Sequence, residues 1–128
     1  ERRGKPTNHR VYGEAVALLA GDALLTEAFT LIGQAYKGDP EIGLQLVAEL
    51  GQAAGLTGMI AGQVIDIQML GGKNEGKISR QDLEKMQALK TGALILVAVR
   101  GAALIARATN AELEALTVYG RQLGLAFH

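Results

Sequence analysis

From residue 11 to residue 36, aliphatic side chains recur at helical spacing on more than one face: Val16, Leu19 and Ala23 make one row, Ala20 and Leu24 the next. Polar positions such as Glu14, Asp22, Thr26, Glu27 and Thr30 are few. A helix this apolar all round belongs deep in a bundle or in a subunit interface, not on a surface. A second apolar run, residues 92–108, carries Arg100 and Arg107, as the first carries Asp22 and Glu27. A bilayer span wants about 20 mostly apolar residues with few or no charges. Both runs therefore read as core helices of a soluble protein, with no membrane span.

Apolar residues make up 48% of the chain but aromatics only 4%, with no Trp, so Ala, Leu, Ile, Val and Gly do the packing and helices are expected to approach closely. At 128 residues the chain fits one domain able to bury a core. Its 13 basic and 13 acidic residues cancel, against the basic excess of a nucleic-acid binder. The absence of Cys removes a disulfide framework and a thiolate metal site. No signal peptide is visible, which makes the cytoplasm the expected location. Glu1 stands where a native start has Met, and no helix stop precedes His128, so both ends are expected to be internal to a longer polypeptide.

Along the chain, Lys37 and Gly38 close the first helix, and Asp39-Pro40 supplies an N-cap followed by proline at the first helical position. Helix is expected from residue 41 to about 70, with a break between Gly51 and Gly58, because glycines at 43, 51, 55, 58 and 62 each cost up to about 1 kcal/mol against alanine. Residues 71–77 read as a mobile polar loop. Ser79 and Asp82 are spaced as a capping box for a helix carrying Leu83, Met86 and Leu89. Lys90-Thr91-Gly92 then interrupts a helical pattern: Thr91 and Gly92 both weaken the helix, and Thr91 can bond back onto it. Helix resumes over residues 93–108, and Thr109 and Glu112 cap a last one reaching Phe127. With no plausible strand pair, the fold class is all-α, a multi-helix bundle.

Three features carry chemistry. Arg2-Arg3-Gly4-Lys5-Pro6-Thr7-Asn8-His9 is a basic loop leading into a helix, offering guanidiniums, an ammonium and the free backbone donors of a helix start. It suits a phosphate or diphosphate, or else is a solvated basic turn. Gln63 and Asp66 lie one turn apart among aliphatic neighbours, facing either a polar cavity or a neighbouring helix in a structural hydrogen-bond pair. A kink at Lys90 aims its ammonium at an interior site, or else Lys90 snorkels from a core helix. Common catalytic sets are missing: no Cys nucleophile, H-E-x-x-H, Walker A loop or G-x-S-x-G elbow. Asp22, Asp39, Asp66 and Asp82 are too scattered for a divalent metal site.

Taken in order, R-R-G-K-P-T-N-H (2–9), V-Y-G-E (11–14), L-A-G-D-A-L-L (19–25), G-Q-V-I-D (62–66), K-T-G-A-L-I (90–95) and L-G-L-A-F (123–127) resemble the trans-isoprenyl (polyprenyl) diphosphate synthases. The resemblance covers essentially the whole chain. It implies the central helices of an isoprenoid-synthase-type fold, residues 1–128 being part of one polyprenyl synthetase domain. It also implies a prenyltransferase that joins isopentenyl diphosphate to an allylic diphosphate, using magnesium (Mg2+) bound by two aspartate-rich motifs.

By position, Arg2 resembles the family's arginine for the allylic diphosphate and Arg3 the one for isopentenyl diphosphate. Lys90 and Thr91 resemble the pair that reaches the allylic diphosphate from a kinked helix, and Gln63 and Asp66 the polar lining of the same cavity. The resemblance further implies a homodimer built through residues 11–36 and 41–68. There are departures. Only Glu1 precedes the R-R-G where the first aspartate-rich motif belongs, His128 stands where glutamine is usual, and the family's upstream lysine and arginine are missing. No catalytic or metal-binding residue is therefore expected within residues 1–128, and the polypeptide alone is expected to be inactive. The alternative is a non-catalytic helical subunit of a heteromeric synthase.

Overall fold

The computed structural model describes residues 1–71 and 78–127. The polar stretch expected as a loop falls mostly on residues 72–77, which with His128 lie outside the described residues. Every regular element among the described residues is helical, so the all-α expectation holds. Contacts divide the chain into two units, Glu1–Gly43 and Leu44–His128.

In the first unit, Arg2 and Lys5 close a tight turn: the Arg2 N–H donates to the Lys5 carbonyl at 2.8 Å, and the Lys5 N–H to the Arg2 carbonyl at 3.1 Å. Both central residues take positive φ, 53° at Arg3 and 72° at Gly4. Such a turn suits Gly4 and strains Arg3. Two helices follow, α1 (Asn8–Tyr12) and α2 (Glu14–Ala35), where a single helix from residue 11 to 36 was expected. The helix starts earlier and breaks at Gly13, whose φ of 86° and ψ of 160° are out of reach for most side chains. Gly13 serves both sides of the break: its N–H caps the His9 carbonyl and its carbonyl accepts from Ala17.

No residue of α2 is buried, and Leu18, Leu19, Leu24 and Leu31 stand well exposed. By length and composition alone, Glu14–Ala35 is apolar enough to cross a membrane, with mean hydropathy 1.7, as are Pro40–Leu70 and Arg80–Ile105. Charges at Asp22, Glu27 and Arg100 therefore do not by themselves rule out a span, contrary to the reading from sequence.

The α3 helix (Pro40–Ala54) begins on its proline as expected, and the glycine-rich break falls at residues 55–58, before α4 (Met59–Leu70). In the second unit, α5 (Arg80–Gln87) opens on a complete Ser79–Asp82 capping box. It runs through a π-helical turn (Ala88–Gly92) into α6 (Ala93–Ile105). The Thr109–Glu112 box opens α7 (Asn110–Ala126).

Packing in the second unit centres on the π-turn, which touches α4, α5, α6 and α7, while α6 and α7 lie along one another. The interior is built of small residues: Ala54, Gly62, Gly92, Gly101, Ala103, Gly120 and Gly124 are buried, with Leu46 and Met86 the larger side chains among them. This fits the aromatic-poor composition.

Gly13→Ala is expected to cost about 1–2 kcal/mol, because alanine pays for the left-handed backbone that glycine accepts freely. Urea unfolding measures the loss, and an unchanged midpoint would show that the break is not needed.

Candidate functional site

Thr91 is β-branched and Gly92 is the weakest ordinary helix former, so residues 88–92 give up regular α-helix most readily. They wind as a π-turn, in which an extra residue re-aims the side chains that follow, a feature frequent at functional sites. The expected irregularity at these residues is thus present, as a π-turn. Thr91 makes no bond back onto the helix: its hydroxyl has no partner among the described residues.

Lys90 reaches α4. Its Nζ donates to Asp66 Oδ2 at 2.5 Å, the two side chains being 34% and 19% exposed. An ammonium has three donors, so those not used by Asp66 are left for a second anion. The pair is sheltered enough to hold its geometry and open enough to be reached. Gly62 and Asp66, four residues apart, share the α4 face that meets the π-turn. Gln63 is turned about 100° away from Gly62. It is exposed and has no hydrogen-bond partner among the described residues, so the buried amide expected from sequence is not found. Of the four residues expected in this part of the site, Lys90 and Asp66 are brought together, Thr91 is adjacent in the turn, and Gln63 stands apart.

Arg2, Arg3 and Lys5 lie in the first unit, all exposed and with no acidic partner among the described residues. The helix they lead into is only five residues long. Its dipole is correspondingly small, and the charged side chains are the main attraction for an anion. Positive φ at Arg3 points the same way: a bulky residue is held in a conformation that glycine would adopt freely.

A second ion pair escaped the sequence reading. Arg100 on α6 forks onto Glu49 on α3, Nε to Oε2 at 2.8 Å and Nη2 to Oε1 at 2.7 Å, and its Nη1 donates to Thr117 Oγ1 on α7 at 2.7 Å. Three helices are thus joined by one guanidinium. Hydrogen bonding from Arg100 holds the Glu49 carboxyl below its ordinary range, against burial, which pushes it up. The signal was an arginine inside an apolar helix, which has to find a partner. This pair lines a cavity of about 350 Å³ with Gln52, Thr57 and Leu96, and an apolar cavity of about 340 Å³ lies against the π-turn beside Arg121 and Leu125. Lys90 and Asp66 line neither. Among the described residues no group of three His, Asp or Glu side chains could hold a metal ion, and Asp66 is engaged by Lys90. These residues do not fit a magnesium site.

The chain matches the polyprenyl synthetase family model over residues 1–128. It is 43% identical to the farnesyl diphosphate synthase of Geobacillus stearothermophilus, over 98% of this chain and 42% of that enzyme. It is also 43% identical to a chloroplastic geranylgeranyl pyrophosphate synthase of Capsicum annuum, over 98% of this chain and 34% of that one. The crystal structure of an FPP/GFPP synthase from Zymomonas mobilis superposes with a TM-score of 0.89 at 35% identity, covering 99% of this chain and 45% of the other. A geranyltransferase from Helicobacter pylori superposes at 0.85 with 30% identity, covering 99% and 43%. The chain thus spans less than half the length of these relatives.

Glu49→Gln is expected to destabilise the protein by about 1–2 kcal/mol at neutral pH, since Arg100 loses its charged partner. A lowered folded-state pKa contributes stability that is full above the ordinary glutamate range and is lost as pH falls through the lowered value. The two unfolding curves should therefore converge in acid; a constant gap from pH 7 to pH 3 would remove the carboxylate's charge from the account.

Proposed function

Because the chain belongs to the polyprenyl synthetase family, we propose that it serves prenyl transfer, the condensation of isopentenyl diphosphate with an allylic diphosphate into a longer isoprenyl diphosphate. In that reaction the allylic C–O bond breaks, its electron pair leaving with diphosphate. The isopentenyl double bond attacks the resulting cation, and proton loss restores an alkene. Stabilising the departing diphosphate is the main electrostatic task.

The observation that carries this reading is Lys90, delivered by a π-turn with donors to spare beside Asp66. In the proposal Lys90 and Thr91 bind the allylic diphosphate with Asp66 beside them, and Arg2 and Arg3 grip the allylic and isopentenyl diphosphates. Paired guanidiniums in a strained, exposed turn suit bidentate diphosphate binding. Magnesium would be held by residues other than the described ones. The non-catalytic subunit alternative is distinguished by assaying the full gene product alone with both diphosphates.

The same membership supports a homodimer through residues 11–36 and 41–68, covering the exposed leucines of α2, in a protein of the cytoplasm. On this reading α2 is buried against protein and not in a bilayer. Leu24→Glu should shift the full gene product from dimer to monomer in sedimentation; recovery of the unaltered protein only in the membrane fraction would overturn the assignment.

Lys90→Ala is expected to raise KM for the allylic diphosphate roughly 10- to 100-fold, the equivalent of about 1.5–3 kcal/mol for a charge-assisted hydrogen bond. An unchanged KM and kcat would remove Lys90 from the site.

A further inference from the structure

The π-turn is gripped on both sides by backbone. A Cβ built on Gly62 of α4 would collide with the Lys90 amide nitrogen, and would stand 2.6 Å from Lys90 Cα and 2.8 Å from the Leu89 carbonyl carbon. One built on Gly124 of α7 would stand 2.8 Å from Gly92 Cα. In every case the obstacle is main chain, which cannot rotate out of the way as a side-chain tip can. Gly92 itself is different: a Cβ there would meet its neighbours at 3.7 and 4.0 Å, ordinary contact. The space is therefore taken up by the two flanking helices.

We infer that Gly62 and Gly124 are positioning residues, which seat the π-turn from opposite sides and so hold Lys90 against Asp66 with its remaining donors turned to an anion. The inference rests on the diphosphate-binding reading of Lys90, which it deepens. It has a geometric logic. A π-turn is less regular than the α-helix on either side, and its side chains are only as well placed as its main chain. Backbone contact on both sides removes the freedom that a lysine on a loop would keep. Asp66 shares with Gly62 the α4 face that meets the turn, so one surface both seats the backbone and orients the ammonium.

The test uses the full gene product and inorganic diphosphate as the probe. Gly124→Ala carries it, because one contact is affected; Gly62→Ala meets several backbone atoms and is the more severe variant. Gly101→Ala serves as the packing control, since its methyl would meet only the tip of Leu46, Cδ2 at 3.3 Å. Two quantities are read: the Lys90–Asp66 coupling from a double-mutant cycle in urea without ligand, and the diphosphate Kd by calorimetry.

The expected result is that Gly124→Ala abolishes the coupling and weakens diphosphate roughly tenfold, with no further weakening in a Lys90→Ala background. Gly101→Ala should alter stability and leave both readouts unchanged. A folded Gly124→Ala protein with coupling intact overturns the inference, as does one whose diphosphate loss persists without Lys90. If Lys90→Ala itself leaves the Kd unchanged, the diphosphate reading fails, and the coupling alone then decides whether the glycines seat the lysine. Should both glycine variants fail to fold, amide exchange in the unaltered protein decides. Lys90, Thr91 and Gly92 should then be protected as well as α6, and exchange as fast as the turn at residues 55–58 overturns the seat.

Discussion

Main chain packs on main chain where the π-turn passes between α4 and α7, and the rest of the second unit depends on that contact. Gly62 and Gly124 let the helices close to a distance that any side chain would forbid. Glycine inside a helix costs up to about 1 kcal/mol against alanine, so such positions persist where the contact returns more than the helix loses. The turn they hold is the one that carries Lys90 and its pair with Asp66.

The two part-buried ion pairs divide the work differently. Arg100 places three of its donors on Glu49 and Thr117, tying α3, α6 and α7 together as a fixed joint. Lys90 makes a single contact with Asp66 and keeps donors in reserve. A planar guanidinium matched to a carboxylate suits a fixed joint, whereas a compact ammonium with spare protons suits an exchangeable anion. Their exposures are similar, so it is the geometry of the donors that separates the two pairs.

Much of the helix plan was legible because it follows from local rules. Both capping boxes, the proline opening α3, the break at residues 55–58 and the irregularity at Lys90-Thr91-Gly92 are each written within a few consecutive residues. The break at Gly13 was not, because Glu14 and Ala15 after it are good helix formers and glycine also occurs inside helices, as at Gly21 and Gly33 of α2. Nor was the outward turn of Gln63. A spacing of three places Gln63 near Asp66, but which of the two reaches the neighbouring helix depends on the rotation of α4, set by the contact at Gly62.

The sequence by itself determined that the chain is helical, where most helices begin and end, that it resembles one family along its length, and that Lys90 sits at a weak point in its helix. These are properties of residue spacing and propensity, which act over one or two turns. Only the tertiary structure decided that Lys90 answers to Asp66, that Arg100 answers to Glu49 from 51 residues away, and that the irregular helix takes the form of a π-turn between two glycines. Such choices are made between segments distant in the chain, where the energy depends on how closely two backbones can approach, and local propensity carries no record of that distance.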